Sequence, residues 1–201
     1  MRTWIRLPLL CALLAFSGCG AVSKSECQTG DWYDIGVRDG ANGYGEERFL
    51  ANAKACAKHG ITADRERWLD GRMHGLERYC TARSGFDAGA RNSSYAGVCQ
   101  QHGEEDFLHG FNLGRDLANA RGRLAHWNGE IHEIQDKLDR DDRWHKQQES
   151  GDPKAGDKAS DDDRLTSAQR VELGIRMGVA IVRREEAERE VADLEARGRE
   201  L

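Results

Sequence analysis

Trp68-Leu-Asp-Gly71-Arg-Met-His-Gly75 is the stretch from which the fold can be inferred, because its pattern of one large apolar residue and two glycines recurs along the chain. Offsets of three and seven residues lie on one face of a helix. Glycine inside a helix costs about 1 kcal/mol relative to alanine, so close contact between helices must offset the loss. The other copies are Tyr33-x-x-Gly36-x-x-x-Gly40, Phe107-x-x-Gly110-x-x-x-Gly114, the weaker Phe86-x-x-Gly89-x-x-x-Ser93, and Val171-x-x-Gly174-x-x-x-Gly178.

The composition favours an all-α protein with solvated helices. Apolar residues make up 38% of the chain and charged residues 32%. No stretch shows the alternating pattern of a strand. Without Arg2 and Arg6 the chain has 28 basic and 35 acidic residues, a net charge of −7. This balance argues against a nucleic-acid partner, which needs a basic face, and against charge-driven binding to an anionic membrane surface.

The first 18 residues have the layout of a cleaved signal peptide. Arg2 and Arg6 are followed by a ten-residue apolar run, Leu7 to Phe16, interrupted only by Pro8. A helix needs about 20 residues to cross a bilayer, so this run fits a signal core and not a membrane span. A secretory signal is therefore predicted for residues 1–18.

Phe16-Ser17-Gly18-Cys19 resembles the lipobox of bacterial lipoproteins. The resemblance implies that Cys19 receives a diacylglyceryl group and, after cleavage, an acyl chain on its amino group. Each buried methylene contributes about 0.8 kcal/mol, so such chains anchor a protein firmly. Gly20 stands where aspartate would favour inner-membrane retention, so an outer-membrane anchor facing the periplasm is expected. The alternative is an ordinary secretory signal with a chance cysteine.

Four cysteines remain after Cys11 leaves with the signal and Cys19 carries lipid. In an exported chain four cysteines imply two disulfides, for which three connectivities exist. Pairing of neighbours, Cys27–Cys56 and Cys80–Cys99, is favoured. The rival hypothesis is a zinc site built from Cys56-x-x-His59 and Cys99-x-x-His102, which would need reduced thiolates.

The C-terminal part predicts a long antiparallel coiled-coil hairpin. One helix runs from Glu104 to about Gln148, a polar loop covers 150–164, and Thr166-Ser-Ala-Gln169 has the form of a capping box that starts a second helix. Apolar residues alternate steps of three and four, as in a heptad seam. The seam residues are Leu117, Ala120, Leu124, Trp127, Ile131, Ile134 and Leu138, then Leu173, Met177, Ala180, Ala187, Val191, Leu194 and Leu201, with interruptions at Arg184 and Gly198. A helix that pairs with another protein or another copy is the alternative.

The predicted organisation has four parts: a signal peptide at 1–18, a lipidated tether at 19–30, a Cys-containing helical domain at 31–115 and the helical hairpin at 116–201. Several motifs resemble those of a known family: Asp31-Trp32-Tyr33-x-x-Gly36, Ala55-Cys56-x-x-His59-Gly60, Arg78-Tyr79-Cys80 and Ser94-Tyr95-x-Gly97-Val98-Cys99. The family is that of bacterial envelope lipoproteins carrying domain of unknown function 2799. The resemblance covers most of the mature chain and implies an envelope address and paired cysteines. It brings no activity, catalytic residue or cofactor.

No catalytic motif is recognisable, so neither an enzyme nor a cofactor or metal site is predicted. There is no nucleophile elbow and no phosphate-binding glycine loop. His132-Glu133 lacks the second histidine of a metalloprotease helix. The preferred hypothesis is a non-catalytic interaction lipoprotein whose hairpin reaches a protein partner in the envelope. The alternative is a peptidoglycan- or glycan-binding module, motivated by rings that could stack on sugars but that core packing explains better: Trp32, Tyr33, Trp68, Tyr79, Phe86 and Tyr95.

Overall fold

A computed structural model describes residues 22–150 and 164–201. Within these two ranges all regular secondary structure is helical, which confirms the all-α prediction. The predicted signal peptide, the lipidation site Cys19 and most of the predicted loop 150–164 lie outside the described residues. The helices are α1 (Lys24–Thr29), α2 (Trp32–Ala41), α3 (Glu47–Ala57), α4 (Arg65–Tyr79), α5 (Ala82–Ala90), α6 (Glu104–Ser150) and α7 (Ser167–Arg199).

Side chains at the helix N-termini explain where several helices begin. Asp64 accepts a hydrogen bond from the Arg67 N–H and starts α4. Thr166 and Gln169 form the predicted capping box of α7. Gly60 has a φ of +72° just after α3, a conformation that glycine adopts without strain.

Helices α2 and α4 contact each other through their glycine faces. A Cβ added to Gly36 would lie 2.1 Å from the Trp68 carbonyl oxygen, and one on Gly40 would lie 2.2 Å from the Arg72 carbonyl oxygen. Contacts advance in the same direction along both helices, so the two helices run parallel. The backbones touch because only hydrogen separates them, which is the close crossing that the glycine pattern predicts.

Helices α5 and α6 repeat the arrangement, but not in the predicted register. A Cβ on Gly85 would lie 2.0 Å from the Phe107 carbonyl oxygen, and one on Gly114 would lie 2.2 Å from the Phe86 carbonyl oxygen. The expected copy Phe86-x-x-Gly89-x-x-x-Ser93 is therefore wrong, since α5 ends at Ala90, before Ser93. The glycine pair of α5 is Gly85 and Gly89. The residue three positions before Gly85 is the small Ala82. A pattern that requires a large residue at this position therefore predicts the wrong register.

Two disulfides join Cys27 to Cys56 and Cys80 to Cys99, each with 5.4 Å between the Cα atoms. These are the neighbouring pairs that the sequence favours. The chain thus holds two units of the same order: a cysteine, a glycine-faced helix, a second cysteine and a second glycine-faced helix. Cys56 and Cys99 lie in different disulfides, so neither offers a thiolate for the rival zinc site.

Helices α6 and α7 form the predicted antiparallel hairpin. Arg121 pairs with Glu195 near one end, and Asp141 pairs with Arg170 near the other. With 47 residues, α6 is about 70 Å long. Eight predicted seam residues are buried: Leu117, Ala120, Ile131 and Ile134 on α6, and Leu173, Ala180, Ala187 and Leu194 on α7. Leu201, also predicted in the seam, lies beyond the end of α7 and is 37% exposed.

The hairpin and the Cys-containing region share a core. Phe86 of α5 packs with Leu117 and Leu194. The Arg83 guanidinium donates to the Gly198 carbonyl oxygen at 3.0 Å. Gly198, expected to interrupt the seam, is where α7 meets α5, because a Cβ there would lie 2.2 Å from the Phe86 ring. The predicted boundary between residues 115 and 116 falls inside the continuous helix α6.

Candidate interaction surface

A buried polar cluster lies at the centre of the first glycine-faced unit. Asp39 is 1% exposed, and its Oδ2 accepts hydrogen bonds from Asn52 Nδ2 at 2.8 Å and Trp68 Nε1 at 2.9 Å. Arg48 Nε lies 3.5 Å from Oδ1 of the same carboxylate. Asn52 also accepts from the Val22 N–H, which ties the start of the described chain to α3. Asp39, Asn52 and Trp68 are each at most 1% exposed, so the cluster is part of the core of the first unit.

A second buried carboxylate, Asp141, holds the start of α7 against α6. Its Oδ1 accepts from the Leu165 N–H at 2.8 Å, and its Oδ2 pairs with Arg170. His145 Nε2 is 3.5 Å from Oδ1. Burial alone would raise the pKa of Asp141, but the hydrogen bonds from Leu165 and Arg170 and the charges of Arg170 and His145 hold it below its ordinary value. The ionised form is therefore the one that stabilises the hairpin.

Asp141→Asn is expected to lower the free energy of unfolding by about 1–3 kcal/mol at neutral pH, since a buried hydrogen-bond network loses its charged acceptor. Because the folded state lowers the pKa of Asp141, its contribution is complete above the unfolded value of about 3.9 and is lost as the pH falls through the folded value. Urea unfolding of both proteins between pH 2 and 7 measures the difference. The control is Asp142→Asn, because the neighbouring side chain also pairs with Arg170 but is 57% exposed. Equal effects of the two substitutions would contradict the role of burial.

The aromatic residues proposed for sugar stacking are mostly packed inside. Trp32, Trp68 and Phe86 are buried. The rings of Tyr79 and Tyr95 pack on Phe107, with centroid separations of 4.9 and 4.7 Å. These faces are covered by other rings, so the observation that motivated the glycan-binding alternative is explained by core packing.

Metal binding has no geometric support in the described parts of the chain. No group of three or more His, Cys, Asp or Glu side chains there is arranged to hold a metal ion. None of the helices in these parts is both long and apolar enough to cross a membrane.

Helix α7 carries an uncovered apolar surface, called here the α7 stripe: Val171, Gly174, Ile175, Gly178, Val179 and Val182. The four branched residues of the stripe are 64%, 65%, 52% and 55% exposed in chain order. No heavy atom of another part of the described chain lies within 4 Å of a Cβ built on Gly174 or Gly178. A contiguous apolar surface of this kind marks a binding site more often than scattered exposed residues do.

The position of the α7 stripe follows from the helical period. Leu173, Ala180 and Ala187 face α6, and the stripe residues lie on the opposite side of α7. Charged residues occupy that side further along, at Glu186 and Arg189. The sequence pattern had identified Gly174 and Gly178 as a glycine face but not the exposure of its neighbours. The available signal was that Val171, Ile175 and Val182 do not fit the heptad seam.

No curated protein and no solved structure shows significant similarity to the chain. Residues 31–116, which contain the glycine pairs of α2, α4, α5 and α6, match the model of a family described as "Protein of unknown function (DUF2799)". Over these residues the chain is therefore similar to the DUF2799 family.

Proposed function

We propose that the protein is an envelope lipoprotein, anchored in the outer membrane by acyl chains on Cys19, that binds a protein partner and catalyses no reaction. Phe16-Ser17-Gly18-Cys19 supports the anchor. The two disulfides support an oxidising compartment such as the periplasm, since disulfides are rare in reducing ones. The membrane is then reached through lipid, while the helical hairpin is free to meet other proteins.

The observation that carries the proposal is the α7 stripe. It places four exposed branched side chains and two bare glycine positions on one side of a rigid two-helix hairpin. Burying apolar surface contributes about 25 cal/mol per Å², so water-exposed valine and isoleucine side chains favour association. A helix face is also a rigid surface, which reduces the entropy lost on binding.

Cys19→Ser is expected to release the protein from the membrane, because serine cannot form the thioether that carries the acyl chains. Fractionation of cells and incorporation of labelled palmitate measure the effect. Cys11→Ser is the control, since Cys11 lies within the predicted signal and should leave anchoring unchanged. A Cys19→Ser protein that remains lipid-labelled in the membrane fraction would overturn the anchor.

Ile175→Glu is expected to reduce capture of the protein partner about tenfold or more, because an unpaired charge would be buried at the contact. A photo-reactive residue at Val171 in living cells would report that capture. The matched control is Leu50→Glu, which places the same charge at a position 68% exposed on α3. Undiminished capture by Ile175→Glu, or equal loss in both variants, would contradict a binding role of the α7 stripe.

Pelleting of the protein with purified sacculi tests the glycan-binding alternative. If the protein binds a protein partner through the α7 stripe, we expect no specific binding to sacculi, that is, no pelleting that soluble wall fragments reduce. Pelleting that survives moderate salt and yields to such fragments would favour the alternative.

A further inference from the structure

Within this chain a glycine-faced helix packs on another glycine-faced helix. Gly36 and Gly40 of α2 contact the backbone of α4 around Gly71 and Gly75. In α5 and α6, Gly85 and Gly89 meet the backbone around Gly110 and Gly114 in the same parallel manner. Four helices thus form two like-with-like contacts through their glycine pairs, and the glycine pair of α7 has no such partner among the described residues.

The α7 copy has the parts that the paired copies use. A large apolar residue precedes the first glycine by three positions: Trp68 in α4, Phe107 in α6 and Val171 in α7. In the paired copies Trp68 and Phe107 are 0% exposed, whereas Val171 is 64% exposed. Ile175 and Val179, each directly after a glycine, border the smooth face. The same small-residue spacing with flanking apolar side chains lets helices pair closely in parallel.

Neither the described residues nor the sequence of the segment between α6 and α7 offers an apolar cover for the α7 stripe. Residues 151–163, which join α6 to α7, contain five aspartates and no valine, leucine, isoleucine, phenylalanine or methionine. The seam side of α7 is already filled by α6. The apolar run Leu7 to Phe16 is removed with the signal in the proposed lipoprotein. The occupant of the stripe must therefore come from another molecule.

We propose that the α7 stripe packs in parallel on the α7 stripe of a second copy of this chain. The inference rests on the proposed function and names its protein partner. A partner must present an uncharged face with glycines at matching spacing, so that the two backbones can touch, and a second copy presents that face by identity. The contact is isologous, because Gly174 and Gly178 of each copy meet the same residues of the other.

The size of the contact fits a pair of molecules on one membrane. The α7 stripe from Val171 to Val182 spans 12 residues, about 18 Å. Two helices that touch over this length bury less surface than the roughly 1,200 Å² buried in a stable soluble complex. Tethering both copies to the same bilayer raises their effective concentration, which compensates for a small interface. Association is therefore expected in the membrane and weak in dilute solution.

Cross-linking of the lipidated, full-length protein in its own envelope tests the pairing and its direction. Val171→Cys and Val182→Cys, each alone, are expected to form covalent homodimers, because a parallel pair brings each residue to its own counterpart. The control is Glu105→Cys, at an exposed position on the first turn of α6, which should form at least tenfold less covalent homodimer. An antiparallel pair would instead link Val171→Cys only to Val182→Cys when the two variants are co-expressed, which would overturn the parallel arrangement.

Gly178→Leu, introduced with Val171→Cys, tests the close contact at the glycine. It is expected to reduce the homodimer about tenfold, since overpacking at a tight contact costs about 1–3 kcal/mol. Gly129→Leu is the matched control: it makes the same change on α6, where a built Cβ also meets nothing within 4 Å. Because both positions are open, neither substitution should unfold the chain. An undiminished homodimer in Gly178→Leu would overturn the inference.

Different results would overturn the second-copy inference and the proposed protein-partner function. If Val171→Cys gives no homodimer while the photo-reactive residue at Val171 captures a different protein, the second-copy inference is overturned and the protein-partner function stands. If neither reagent captures any protein at the α7 stripe, both the inference and the proposed function are overturned.

Discussion

Gly71→Ala is expected to lower the free energy of unfolding by about 3 kcal/mol, the upper part of the range for overpacking. A Cβ at Gly71 would lie 2.0 Å from the Tyr33 carbonyl oxygen and 3.0 Å from the Val37 nitrogen. Both neighbours are backbone atoms, so no rotamer change can relieve the clash. Helix α2 would have to move away from α4, which would also disturb the hydrogen bond from Trp68 to Asp39.

Urea unfolding of the purified protein measures this loss, and Gly129→Ala is its matched control. Gly129 lies within α6 with open space around its Cβ position. The same substitution there should stabilise the helix by about 1 kcal/mol, because alanine has the higher helix propensity. A Gly71→Ala protein as stable as the Gly129→Ala protein would show that the α2–α4 crossing is looser than the structure has it.

The glycine pattern predicts which helix faces are buried, but not which faces meet. Gly36 and Gly71 could be recognised from their spacing alone, since the spacing defines a face. Their pairing depends on the path of α3, which connects the two helices in sequence without lying between them. In α5 the pattern predicts the wrong register, because the large Phe86 precedes Gly89 by three residues just as the small Ala82 precedes Gly85.

Heptad positions predicted the α6–α7 hairpin well, because the long seam repeats a single rule over many turns. Asp39 and Asp141 could not be recognised as buried, since an aspartate in a helix is most often a solvated surface residue. Their burial depends on partners far away in sequence, such as Trp68 for Asp39 and Leu165 for Asp141. The exposure of the α7 stripe is missed for the opposite reason: valine and isoleucine suggest burial, although Val171, Ile175 and Val182 do not fit the heptad seam.

Removing the first disulfide with Cys27→Ala/Cys56→Ala is expected to lower the free energy of unfolding by about 3–4 kcal/mol. The bridge closes a loop with a sequence separation of 29 residues, and loop closure of that length constrains the unfolded chain by this amount. Helix α1 has only six residues, so it cannot persist as an isolated helix once its covalent link to α3 is gone. Urea unfolding and amide exchange of α1 measure the global and the local loss.

Comparison with Cys80→Ala/Cys99→Ala separates two contributions of a disulfide to the free energy of unfolding: loop closure in the unfolded chain and packing in the native state. The second bridge spans 19 residues, so the loop-closure terms of the two bridges differ by only about 0.4 kcal/mol. A larger difference must come from the native state, where Cys80 and Cys99 lie in a cluster with Phe107 and Leu76, while Cys27 and Cys56 pack near Trp32. If either double variant keeps the parent stability, constraint of the unfolded chain is not what the bridge contributes. In that case the glycine-faced pairs alone hold the two units together, and the Gly71→Ala loss should be unchanged in the disulfide-free background.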